Sequence, residues 1–212
     1  MQTFESRYSP KIPPSVYSLE HSLINVLKEH YYVQNQRFFE ISSHEMLKHE
    51  LCHLTKALNK VHLACEEPSK RTIKILEVEV ISDLIIYALE CAIGYDLDWW
   101  SYFTRGEKLP ENNILSYLSK KFIYKSQNEN ELHCFVRNTL IRSISCLGDF
   151  CDKTDHNQIS NIDLKIDVII PLMESSFYLS TYHHLDLDSL FSCRLIDVEN
   201  KYVGQPNYKS RK

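Results

Sequence analysis

His44-Glu45-Met46-Leu47-Lys48-His49-Glu50-Leu51-Cys52-His53-Leu54-Thr55-Lys56-Ala57-Leu58 holds the densest cluster of potential metal ligands in the chain. At helical pitch His49 and His53 share one face with Glu50 beside them, which offers a metal two imidazoles and a base. Glu50 and His53, at i and i+3, can equally form one wall of a site between packed helices. The two readings demand different folds, so the surrounding sequence decides.

That sequence is helical in character. The 212 residues include four Gly, and five of the seven Pro (10, 13, 14, 68 and 110) fall between periodic segments. A Gly-poor chain with long 3.6-residue periodicity points to an all-α fold. Phosphate-cradling glycine loops are absent. A hydrophobic content of 43% with 25% charged residues allows a substantial core. The formal net charge of −4 leaves no basic excess to displace phosphate counterions, so no dedicated nucleic-acid binding is expected. No apolar run approaches the roughly 18 residues of a membrane span. The first residues, Met1-Gln-Thr-Phe-Glu-Ser6, lack the apolar centre of a signal peptide. Cys52, Cys65, Cys91, Cys134, Cys146, Cys151 and Cys193 contain no C-x-x-C and read as free thiols, so a cytoplasmic location is expected.

Residues 1–15, with three Pro, read as an extended arm. Val16, Leu19, Leu23, Val26, Leu27 and Tyr31 then describe an amphipathic helix to about residue 34. Ser42, with Glu45 three residues on, predicts a capping box for the helix that carries the opening stretch. Its buried stripe should be Leu47, Leu51, Leu54, Ala57, Leu58 and Val61, ending near Cys65. A further helix is expected from Ser69 or Lys70 to Gly94, with Gly94 as its C-cap. Residues 96–103 read as a short aromatic helix, and 105–110 as a turn-like boundary.

Beyond that boundary the pattern restarts. Residues 114–127 parallel residues 23–36, and Ile141, Ile144 and Leu147 echo Leu51, Leu54 and Ala57. Residues 167–174 echo 83–90, with an Asp and a Glu seven apart in both, and Asp186-Leu-Asp188 echoes Asp96-Leu-Asp98. The expectation is two tandem helical units packed as one bundle: a site-bearing unit over 16–109, a degenerate unit over 110–203 and a flexible tail over 204–212. The second is degenerate because Leu140 and Ser143 stand where the first has Glu50 and His53. Asp163 and Asp167, opposite Glu79 and Asp83, read as a solvated or capping pair. Tyr182-His183-His184 offers no metal pair, since adjacent helical residues diverge by about 100°.

His49-Glu50-Leu51-Cys52-His53 is the H-E-x-x-H of zinc proteases. Val78-Glu79-Val80-Ile81-Ser82-Asp83 resembles the x-E-x-x-S-D helix of the gluzincin proteases, which implies Glu79 as third Zn2+ ligand and Asp83 behind a histidine. In those enzymes a β-sheet precedes the helix, whereas residues 1–48 show no strand alternation.

Residues 37–103 resemble more closely the all-α NTP pyrophosphohydrolases, the superfamily of MazG and the dimeric dUTPases. The family's E-E-x-x-E has its counterpart in His49-Glu50-Leu51-Cys52-His53. Its E-x-x-D has one in Val80-Ile81-Ser82-Asp83, followed by Leu-Ile-Ile-Tyr-Ala-Leu89. Arg194 and Asn200-Lys201-Tyr202 are similar, with altered spacing, to the family's K-x-x-x-N-x-x-K-Y tail. The resemblance implies a homodimer that cleaves a nucleoside triphosphate to monophosphate and pyrophosphate. It implies Glu50 and Asp83 as catalytic residues, Glu50, His53, Glu79 and Asp83 around Mg2+ or Mn2+, and Arg37, Lys56, Arg194 and Lys201 near the phosphates. Trp99, within an aromatic cluster, is a candidate for stacking on the base. Two departures bear on activity: His53 and Val80 each stand where the family has Glu, and imidazole favours ions softer than Mg2+. The alternative is a non-catalytic module of the same ancestry that binds a nucleotide or a protein.

Overall fold

The computed structural model describes residues 42–105, 107, 110, 113–125 and 128–202, apart from the side chains of Trp100, Ile196 and residues 198–202. The arm at 1–15, the helix at 16–34 and the tail at 204–212 lie outside the described residues, as does part of the boundary at 105–110. Within the described residues all regular structure is helical, and the helices pack as an all-α bundle.

Helix α1 (Ser43–Glu66) starts at the expected capping box. The Ser42 hydroxyl accepts from the Glu45 N–H, and the Glu45 carboxylate accepts from the Ser42 N–H at 3.0 Å. Its buried face is Met46, Leu47, Glu50, Leu54, Ala57, Val61 and Ala64. Glu50 therefore occupies a core position within an apolar stripe. A second capping box, between Ser69 and Thr72, opens a rod made of α2 (Lys70–Ile75), a π segment (Leu76–Val80) and α3 (Ile81–Gly94). Every residue of α3 from Ile81 to Ala92 is buried, as befits a helix apolar on nearly all sides at the centre of the bundle. The expected cap at Gly94 moves: Gly94 closes the helix, and the left-handed residue is Asp96, at φ 50°. Helix α4 (Trp100–Thr104) follows and ends on left-handed Arg105.

The second half comprises α5 (Ile114–Ser119), α6 (Glu129–Asp155), a second π segment (Lys165–Ile169), α7 (Ile170–Tyr182) and α8 (Leu187–Tyr202). Like elements meet like. The two long helices, α1 and α6, pack more extensively than any other pair, and α3 on α7 comes next. The long pair is antiparallel: His44 and Lys48 reach Asp155 at 2.9 and 2.6 Å, while Glu66 accepts from Arg137 at 2.8 Å. Between α3 and α7 the buried Ser176 hydroxyl donates to the Ile81 carbonyl at 2.7 Å.

Both π segments lead straight into the buried helix of their half, with Lys165 lying 89 residues after Leu76 and Ile170 89 after Ile81. At that spacing Leu172, and not Asp167, lies 89 residues after Asp83, so the expected pairing of residues 167–174 with 83–90 does not follow the spacing of the helical elements. Pro171 has no N–H to give to the Asp167 carbonyl one turn back, and the Ser143 hydroxyl lies 3.4 Å from that oxygen. Asp163 and Asp167 act as caps: the Asp163 carboxylate accepts from the N–H of Lys165 and Ile166, and Asp167 accepts from the N–H of Asp163. No described helix is long and apolar enough to cross a membrane.

Candidate functional site

The helical pitch of α1 and α3 turns Glu50, Asp83, Tyr87 and Glu90 towards each other inside the bundle, where α8 adds Arg194. Glu50 and Asp83 are each 3% exposed and Glu90 is 5% exposed. One oxygen of Glu50 shares a hydrogen bond with Glu90, while its Oε2 is buried without a partner. Burial, the charge and hydrogen bond of Glu90 and the charge of Asp83 push the Glu50 carboxyl well above its ordinary range. The shift favours the protonated form of Glu50.

Asp83 is engaged differently. Arg194 donates from Nε to Oδ1 at 2.6 Å and from its terminal nitrogen to Oδ2 at 2.9 Å, a bidentate fork. Burial would lower the Arg194 pKa, but the bond to Asp83 and the charges of Asp83 and Glu79 raise it. Glu79, one turn earlier, accepts from Lys60 at 2.7 Å and lies 3.8 Å from Arg194. Lys60 also stands 3.9 Å from Asp83. The result is a ladder of alternating charge that ties α1, the rod and α8 together.

His53 is half-buried. Its Nε2 lies 2.8 Å from His49 Nε2, and the Tyr87 hydroxyl lies 3.5 Å from its Nδ1. Burial, with the charges of His49 and Lys56 adding to it, lowers the His53 pKa to about 4. Burial likewise lowers that of His49. Two neutral imidazoles in opposite tautomers account for the short contact, one donating and the other accepting. Burial, then the charges of Asp83, Glu50 and Glu90, keep the Tyr87 phenol protonated.

Of the four expected metal ligands, Asp83, Glu79 and His53 are engaged by other side chains, and Glu50 keeps one unpartnered oxygen, Oε2. Asp83 commits both oxygens to Arg194, Glu79 binds Lys60, His53 meets His49, and Glu50 shares a hydrogen bond with Glu90 that favours its protonated form. A Mg2+ or Mn2+ ion needs several ionised oxygens at about 2.1 Å, so this arrangement does not fit the ion as it stands. The Zn2+ reading brings His49 and His53 together, but its third ligand, Glu79, is the partner of Lys60.

The expected substrate residues scatter. Trp99 is 5% exposed and packs in the core, its ring centroid 6.2 Å from that of Phe103, which leaves no face for a base. Lys56 is solvent-exposed, Arg194 is the partner of Asp83, and Lys201 lies on α8 with its side chain outside the described set. Arg37 lies outside the described residues.

Sequence reasoning passed over Glu90, Tyr87 and Lys60. Glu90 had a signal, since seven residues after Asp83 on a helix is the same face. Lys60 stands one turn and three residues beyond His53 on α1, on the side of α1 that meets Glu79. No protein-family model matches the chain, and no curated protein or solved structure shows significant similarity to it.

Proposed function

We propose that the chain is a non-catalytic helical module of MazG-type ancestry, acting by binding rather than by cleaving phosphoanhydrides. Its acidic centre holds helices together where the enzymes of that family hold metal and triphosphate. The observation that carries this reading is the buried bidentate pair between Asp83 and Arg194. A triphosphate–metal complex at Asp83 would have to displace a guanidinium that is 8% exposed and already neutralised. Leaving either partner buried and alone is costly.

The like-with-like packing of α1 on α6 and α3 on α7 supports descent of the two halves from one unit. Pairing of that kind inside one chain supplies the buried surface that a two-fold dimer supplies between chains. In this proposal the expected homodimer is not required.

A second reading, the pyrophosphohydrolase itself, draws on one observation. Glu50, Asp83 and Glu90 lie close enough for their charges to interact, and Glu50 Oε2 is an orphaned buried oxygen. One assay separates the two. The full chain is incubated with a panel of nucleoside and deoxynucleoside triphosphates, with Mg2+ or with Mn2+, and pyrophosphate release is followed. The proposal expects none above the rate without protein. Turnover that is lost in Glu50→Gln, with helicity retained, would establish the enzyme instead.

A further inference from the structure

We infer that Glu129, His133 and His183 form a binding site for one divalent transition-metal ion of the zinc class, remote in sequence from the acidic centre. Glu129 and His133 are i and i+4 on the first turns of α6, and His183 caps the C-terminus of α7. One donor atom from each of the three lies within 4.8 Å of the others. Ligands at about 2.0–2.1 Å in a tetrahedron stand about 3.3 Å apart, so small side-chain rotations suffice to close the site.

What distinguishes this cluster from an ordinary helical Glu–His pair is the state of its nitrogens. His133 is 1% exposed and the His183 side chain 7% exposed, yet Nε2 of each is buried without a hydrogen-bond partner. The rings stack with centroids 5.9 Å apart and planes 20° from parallel. Two orphaned imidazole nitrogens in one place leave an unfavourable hole in the polar accounting of the core. A cation held by both would fill it. The Glu129 carboxylate stands 3.8 Å from His133 Nε2, too far for a hydrogen bond but placed to add a third, anionic ligand.

Glu77, in the first π segment, supplies the outer support. Its Oε1 lies 3.5 Å from His183 Nδ1, which favours the tautomer with the proton on Nδ1 and the lone pair on Nε2. Glu77 and Glu129 also line a surface pocket of about 460 Å3, with Pro68, Lys70 and Lys74 on its wall. The cluster thus borders a surface pocket through its two carboxylates, while both imidazole Nε2 atoms stay buried behind them. His183, and not its neighbour His184, meets ligands brought by another helix.

The test is titration of the chelator-stripped full chain with Zn2+ against a chromophoric competitor, with Co2+ as a spectroscopic stand-in. The expected result is one Zn2+ per chain, a Zn2+-dependent rise in unfolding temperature, and visible Co2+ bands of a nitrogen–oxygen site of low coordination number. His133→Gln and His183→Gln should each weaken binding by about 100-fold or more, and Glu77→Gln by about 10–100-fold. If His133→Gln fails to fold by circular dichroism, Glu129→Gln carries the test, because that side chain is 44% exposed and dispensable to the core. Absence of Zn2+ binding by the parent chain would overturn the inference. So would binding that survives these changes and is lost in His49→Gln or His53→Gln, which would place the ion on the H-E-x-x-H helix.

Discussion

Arg194 on α8 grips the carboxylate of Asp83 on α3 through two hydrogen bonds, at 2.6 and 2.9 Å, across 111 residues of sequence. Both side chains are nearly out of water, at 9% and 4% exposed. This pair anchors α8 to the central helix, so Arg194→Ala is expected to loosen α8. Amide hydrogen exchange over residues 187–202 should accelerate by at least about tenfold, equivalent to about 1.4 kcal/mol of local stability, with α1 protected as before.

Glu50 sets a pH dependence. Its folded pKa is raised from an ordinary value near 4.5, so the folded state keeps a proton that the unfolded chain has released. The stabilisation is fully present below pH 4.5 and is lost as pH rises through the folded value. Glu50→Gln mimics the protonated group and should match the parent at acid pH. At neutral and alkaline pH it should be the more stable of the two in urea denaturation, by a margin that grows with pH.

His53 works in the opposite direction. Its pKa falls from 6.5 to about 4 in the folded chain, so its contribution is present above pH 6.5 and is lost as pH falls through 4. Denaturation of His53→Gln between these limits should show a shallower loss of stability on acidification than the parent. An unchanged slope would mean that His53 is solvated and titrates normally.

Ser176 lies at the contact of α7 with α3. Ser176 is fully buried, and its hydroxyl reaches the Ile81 carbonyl. Ser176→Leu forces extra volume between the two central helices and should lower stability by about 1–3 kcal/mol in chemical denaturation. The acid-dependent behaviour of Glu50 should be perturbed with it, because the same helix α3 carries Glu90.

Much of the architecture was legible in the residues themselves. Ser42 and Glu45 announce the start of α1, and the Gly-poor periodicity announces an all-α bundle. The acidic centre was half legible. Spacing places Glu50 in step with Leu47, Leu54 and Ala57, which is a core position, and a buried carboxyl there needs a partner as much as it invites a metal. Which partner it finds depends on contacts that leave no local trace: Arg194 is 111 residues from Asp83, and His183 is 50 residues from His133. The π segments were also invisible, because an extra residue in a helical turn alters register without altering composition.

The central claim is that Asp83 serves structure rather than catalysis, and the unfolding free energy of Asp83→Asn tests it most directly. Removing the charge leaves Arg194 buried beside a neutral group, so urea denaturation should show a loss of about 3 kcal/mol or more relative to the parent. A variant as stable as the parent, or more stable, would contradict the account. That is the behaviour of a residue retained under strain for activity.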